Sequence, residues 1–272
     1  MSTPDAAAAV AGRVERVRGR IAAAAARAGR DPAEVTLVAV AKLHPVEAVR
    51  AALAAGVADV GENYAQELEA KAAQLAGTGV RWHFVGRLQR NKAGTVVAAG
   101  ALVHSLASVP AARALGRRAH ARGTVARALV QVELDQRAAA HGVRPAELEE
   151  FVAACRAVEG LELAGLMVMP AAATDPEASR PAFRYAAELA RGLGQGMPHL
   201  SMGMTADLEV AVEEGSTLVR VGTAVFGPRP ARRPGGGDSE GGPEPARRPG
   251  GGDPEGGPEP ATSRPRDQGA GP

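Results

Sequence analysis

Short apolar runs recur along the chain at 35–42 (VTLVAVAK), 57–62 (VADVGE), 81–86 (RWHFVG), 102–107 (LVHSLA), 127–135 (RALVQVELD), 161–169 (LELAGLMVM), 199–204 (HLSMGM) and 217–223 (TLVRVGT). Their length and their Val and Leu content read as strands buried on both faces. Between them lie segments whose apolar positions follow a helical period, such as PVEAVRAALAAG, PAELEEFVAACRAVEG and ADLEVAVEEG. Strand then helix, eight times over, predicts an α/β fold with a parallel sheet covered by helices. Eight such units suit a single closed (β/α)8 barrel; an open doubly wound sheet is the alternative. Ahead of the first strand, AAAAVAGRVERVRGRIAAAAARAGR reads as a helix ending near Gly29. Its arginines break the basic, apolar and cleavage-site order of a signal peptide.

The periodicity stops after Gly227. ARRPGGGDSEGGPEP at 231–245 returns as ARRPGGGDPEGGPEP at 246–260. Pro, Gly and mixed charge without apolar periodicity bury too little surface to offset chain entropy. The expected organisation is therefore a barrel over 1–229 and a disordered tail with a 15-residue repeat over 230–272.

Composition narrows the function. With 32 basic and 30 acidic residues the formal charge is +2, which argues against a nucleic-acid binder built on a basic surface. The single cysteine, Cys155, rules out an internal disulfide and a multi-cysteine metal site, and its spacing to Phe151 and Val158 reads as a core thiol. His83 and His104 lie within strands and lack a carboxylate at metal spacing, so they read as core or mouth histidines and no metal is expected. Aromatic residues are only 3% of the chain, so Ala, Val and Leu fill the interior, with Trp82 packing between barrel and helices. No apolar stretch approaches the ~18 residues of a membrane span, and the expected location is cytoplasmic.

In such a barrel the C-terminal strand ends share one mouth, where the chemistry sits. The strand ends deliver Lys42, Glu62 and Asn63, His83 and Gly86, Ser105, Met167 and Met169, Ser201 and Thr205, and Arg220, Gly222 and Thr223. Lys42 is the only lysine among them. A partly desolvated lysine amine can condense with a carbonyl compound, although a lysine snorkelling to water fits the same pattern. SMGMTAD runs from a strand into a helix with Thr205 placed to cap it, and VRVGTAVFG supplies Gly222 and Thr223. Hydroxyls and backbone N–H groups after strands seven and eight commonly cradle phosphate. With a lone lysine across the mouth, they describe a site for an aldehyde carrying a phosphate, and pyridoxal 5′-phosphate fits that description.

In order along the chain, AVAK, GENYAQE, WHFVGRLQRNK, GLMVMP and SMGMTADLEVAVEEGSTLVRVGTAVFG resemble the YggS/PROSC family of pyridoxal-phosphate-binding proteins over residues 5–228. The resemblance implies a single barrel of the alanine racemase N-terminal, fold-type III kind. It implies pyridoxal phosphate held as an internal aldimine on Lys42, with Ser201, Gly222, Thr223 and Thr205 at the phosphate. Asn63 would lie near the ring and Arg220 at the pyridine nitrogen; with Met167 these make up the cofactor-contact set. The implied role is homeostasis: carrying, buffering and handing on the cofactor, with apo forms of pyridoxal-phosphate enzymes as recipients; a monomer is expected because the chain lacks the β-domain that supplies the racemases' dimer element. No catalytic residue is assigned, because Tyr64 and Tyr185 fall on helical segments and supply no second acid/base at a strand end. A weak racemase or lyase is the alternative, and a cofactor-free aldolase using Lys42 a third. One departure stands out: family members carry a lysine two residues before a glycine after strand five, where this chain has Ala140 before His141 and Gly142, with Arg137 nearby.

Overall fold

The computed structural model describes residues 3–134, 141–171, 173–194 and 196–228. The tail at 230–272, Arg137 and Ala140 lie outside the described residues. Helix α1 (Thr3–Arg27) leads into eight strands: β1 (Thr36–Val40), β2 (Asp59–Glu62), β3 (Arg81–Phe84), β4 (Leu102–Leu106), β5 (Ala126–Val132), β6 (Leu161–Val168), β7 (His199–Ser201) and β8 (Leu218–Val221). Helices α2 (Val46–Ala54), α3 (Ala65–Gln74), α4 (Ala93–Ala98), α5 (Val109–His120), α6 (Leu148–Arg156), α7 (Arg180–Gly192), α8 (Leu208–Glu213) and α9 (Thr223–Phe226) follow the strands in turn. All pairings are parallel, neighbours in sequence are neighbours in space, and β8 returns to pair with β1, so the barrel is closed. Closure settles the choice against the open sheet.

Two apolar layers follow from strand alternation. Trp82 and Phe84 of β3 and Val219 and Val221 of β8 pack outward against helix residues such as Leu68, Leu115 and Phe183. Each fully buried Leu or Phe contributes about 1.5–3 kcal/mol. A separate inner cluster holds Val38, Leu129, Ala164, Met167 and Leu218. The β5–β6 register shifts between Ala128 and Leu129, so Ala164 and Met167 both face inward although they are not an even number of residues apart. Strand β7 is shorter than the apolar run 199–204 suggests. Gly203, at φ 89°, turns the chain out of the extended region there, a conformation an L side chain resists.

Helix α1 buries Val10, Val14, Val17, Ile21 and Ala24 along one face. Its arginines reach the last units of the barrel, Arg20 pairing with Glu209 at 2.5 Å and Arg27 with Glu213 at 2.7 Å. Cys155 is fully buried on α6, and burial pushes its thiol up to about 11. The native thiol should react with an aromatic disulfide at pH 8 at least ~100-fold more slowly than the thiol in urea, because the thiolate is the nucleophile. A stopped-flow comparison of native and unfolded protein checks this; equal rates would contradict a core position. No helix among the described residues is long and apolar enough to cross a membrane.

Candidate functional site

Strand β1 ends on an unusual turn. The Ala41 N–H donates to Gly61 O at 2.9 Å, the chain turns through the half-buried Lys42, and Leu43 takes φ 63°. Leu43 is the one non-glycine residue with positive φ among the described residues, a conformation that costs on the order of 1 kcal/mol or more. A polar cluster on α3 holds it there. Leu43 N–H donates to Glu67 Oε2 at 2.9 Å, and Lys71 Nζ donates to Ala41 O at 3.0 Å, Glu62 Oε1 at 2.6 Å and Glu67 Oε2 at 3.1 Å. The peptide groups on both sides of Lys42 are thus anchored, which fixes where its side chain starts.

Glu62 corrects the expectation of a mouth residue. It follows the outward-packed Val60 by two positions, so it turns away from the barrel interior into the helix layer, where it is fully buried against Lys71. Its Oε2 has no hydrogen-bond partner. Burial raises its carboxyl to about 7, with Lys71 opposing.

The other half of the site comes from β7 and β8. The sequence places Lys42 across the mouth from the hydroxyl-bearing loops, but β8 pairs directly with β1, Arg220 lying opposite Val38. Gly222 lies against the end of β1, where an added Cβ would be in van der Waals contact with Val40 O at 3.4 Å. Lys42 and the Gly222–Thr223 turn are therefore neighbours. Thr205 and Thr223 bring their hydroxyls to 3.4 Å from each other. Thr205 does not cap α8; Asp207 occupies that position, and its Oδ1 accepts from Met204 N–H at 2.7 Å. Arg20 of α1 donates to Thr205 O at 2.8 Å while pairing with Glu209, so the N-terminal helix braces this loop.

Arg220 is buried beneath the loop and donates to Ser201 Oγ at 2.6 Å and to Val168 O at 3.0 Å. Burial lowers its pKa to about 10, with Asp207 opposing, which leaves it cationic at neutral pH. The Ser201 hydroxyl, read from sequence as a phosphate contact, is fully buried and engaged with Arg220 and His104. Met167 is buried within the inner cluster, and Asn63 is half-buried at the end of β2, next to β1.

Two features were not legible as a site. Lys71 lies on a helix, away from the strand ends. Asp59, His83, His104 and Ser201 form one continuous hydrogen-bonded line leading to Arg220. The signal was present in β3, where a histidine flanked by outward Trp82 and Phe84 must face inward. No group of His, Cys, Asp and Glu able to hold a metal ion occurs among the described residues.

The family model for the alanine racemase N-terminal domain matches residues 13–230. A pyridoxal phosphate homeostasis protein of Pseudomonas aeruginosa is 40% identical over 220 residues, covering 81% of this chain and 96% of that relative. The Escherichia coli K12 protein of the same name is 38% identical over 226 residues, covering 81% and 97%. Among solved structures, PipY of Synechococcus elongatus PCC7942 with PLP bound superposes with a TM-score of 0.70 at 34% identity, covering 80% of this chain and 99% of that one. Alanine racemase of Corynebacterium glutamicum shares the fold, with a TM-score of 0.59 at 19% identity, over 82% of this chain and 62% of that one. A closed barrel with a lysine at the rim of its first strand, matched at this identity over nearly the full length of these relatives, places the chain in the family of pyridoxal phosphate homeostasis proteins built on the alanine racemase N-terminal domain.

Proposed function

We propose that this chain binds pyridoxal 5′-phosphate on Lys42 and serves in its homeostasis, holding and releasing the cofactor rather than turning over a substrate. The observation that carries this reading is the convergence of three chemically distinct groups on adjoining strand ends: the Lys42 turn, the Thr205–Thr223 hydroxyl pair beside Gly222, and the buried Arg220 cation. They suit an aldehyde, a phosphate and a ring nitrogen in turn. The names of the relatives and the PLP-bound PipY structure support it.

Lys42 Nζ would join the aldehyde of the cofactor with loss of water. Thr205 and Thr223 would donate to phosphate oxygens, and Asn63 and Met167 would border the ring. When bound, pyridoxal phosphate supplies an electron sink whose strength depends on protonation of its ring nitrogen. Arg220 can donate a hydrogen bond but has no proton to give up at neutral pH, so it leaves that nitrogen unprotonated and the sink weak. Tyr64 and Tyr185 are exposed, before α3 and on α7 respectively, and neither serves as a second acid/base at a strand end. A weak electron sink without an evident second base favours a carrier that hands the cofactor to apoenzymes, acting as a monomer.

Purified protein loaded with pyridoxal phosphate should be yellow, absorbing at about 420 nm. Borohydride followed by peptide mapping should place a pyridoxyl group on Lys42, and Lys42→Ala should stay colourless. A trapped group elsewhere, or a yellow Lys42→Ala protein, would overturn the assignment. Incubation with amino acids in heavy water separates carrier from racemase or lyase. Slow α-proton exchange supports the carrier, and exchange at enzymatic rates rejects it.

A further inference from the structure

A line of buried polar side chains crosses the barrel interior. Asp59 Oδ1 meets His83 Nε2 at 3.1 Å, His83 Nδ1 meets His104 Nε2 at 2.9 Å, and His104 Nδ1 meets Ser201 Oγ at 2.9 Å. Ser201 Oγ accepts from Arg220 at 2.6 Å. His104 and Ser201 are fully excluded from solvent, and His83 is 4% exposed. The Asp59 end opens on a cleft of about 450 Å³ on the opposite face of the barrel from Lys42, where the exposed Arg81 also hydrogen-bonds Asp59.

One direction satisfies every group in the line. A guanidinium only donates, so Ser201 accepts from Arg220 and can donate its own O–H to His104 Nδ1. His104 then carries its proton on Nε2 and donates to His83 Nδ1, and His83 carries its proton on Nε2 and donates to Asp59. An ionised carboxylate only accepts, so this direction suits the far end too. Burial pushes the Asp59 carboxyl upward, but hydrogen bonds from His83 and Arg81 outweigh it and hold the group at about 2. Burial, with His83, Arg220 and His199 nearby, keeps the His104 imidazole neutral.

We propose that Asp59, His83, His104 and Ser201 are positioning residues for Arg220: a one-way hydrogen-bond line that fixes both imidazoles as neutral Nε2–H tautomers and holds the guanidinium in one orientation at the base of the cofactor site. Its tautomer half stands on the hydrogen bonds alone; its effect on the cofactor rests on the reading given under Proposed function. Ser201 then acts through Arg220 rather than on phosphate. The same line couples the ring-nitrogen environment to Asp59, on the far face of the barrel.

Nitrogen-15 NMR of the unloaded, uniformly labelled protein tests the first half. Both histidines should show a protonated Nε2 and a bare Nδ1. A His104 protonated on Nδ1, or an imidazolium at His83, overturns the line. The second half uses protein loaded with ring-¹⁵N pyridoxal phosphate. Ser201→Ala and His83→Leu should displace the ring-nitrogen resonance and the visible absorption maximum. His83→Gln, which keeps a donor and an acceptor on one group, should restore both towards wild type. Unchanged spectra in folded Ser201→Ala and His83→Leu, or no difference between the two His83 variants, would overturn the positioning role. Failure of borohydride to trap cofactor on wild-type Lys42 instead sinks the cofactor reading, and the tautomers of the unloaded protein then decide the line by themselves.

Discussion

Lys71→Met is expected to destabilise the fold by about 1 kcal/mol at pH 5, rising to about 3–4 kcal/mol at pH 9, as the buried carboxyl loses the partner that stabilises its ionised form. The difference comes from Glu62. Its carboxyl is fully buried, one oxygen meets Lys71 at 2.6 Å, and the other has no partner. Burial places its folded pKa at about 7, above the ordinary 4.5, against the opposing pull of Lys71. A carboxyl raised in this way contributes stability that is complete below its unfolded pKa and is lost as pH rises through the folded one. In wild type that loss falls between about 4.5 and 7. Without the lysine the folded pKa moves higher still, so the variant keeps losing stability at pH values where wild type has levelled off. The residual cost at pH 5 is the Ala41 carbonyl left without its 3.0 Å donor. Urea unfolding at pH 5, 7 and 9 measures both limits. The double variant Glu62→Gln, Lys71→Met should recover most of the alkaline loss, since no buried charge remains. A gap between wild type and variant that stays constant across pH would rule this account out. Because Lys71 and Glu67 anchor the peptide groups flanking Lys42, the single variant should also hold pyridoxal phosphate less tightly.

Gly86→Ala should cost about 3 kcal/mol, at the upper end for overpacking. A Cβ at residue 86 would lie 1.9 Å from Asn63 O and 2.7 Å from Asn63 C. Both are backbone atoms, so no rotamer change relieves the clash and the β2 and β3 ends must separate. The Gly86 carbonyl also accepts a short hydrogen bond from the buried Ser105 hydroxyl, which resists the shift from the other side. For a domain of this size the loss corresponds to a fall in Tm of roughly 6–12 °C, measurable by calorimetry. The displaced segment carries Asn63, so cofactor retention should fall with stability. A variant with wild-type Tm and wild-type retention would show that the two strand ends are not packed as tightly as this.

The strand and helix order could be read from the chain because it rests on local periods of two and 3.6 residues. Lys42, Gly222, Thr223 and Arg220 were legible because strand ends in such barrels collect at one face. Two local placements differ from the sequence reading. Glu62 ends a strand, as expected, but strand parity turns it towards Lys71 and away from the mouth. Thr205 has the chemistry of a helix cap, yet Asp207 takes that position and Thr205 meets Thr223. Ser201 and Met167 face the barrel interior, where Ser201 meets His104 and Met167 joins the inner apolar cluster.

By itself the sequence determined that the chain alternates strand and helix, that one lysine closes the first strand, and that small hydroxyl residues follow the last two. Those features are carried by residues close together along the chain. Only the tertiary structure decided that β8 seals against β1, which makes Lys42 and Gly222 neighbours, and that Asp59, His83, His104, Ser201 and Arg220 form a single line. Both depend on closure and register. Those are set by packing among residues far apart in sequence, where a shift of one position reverses which side chains face the interior.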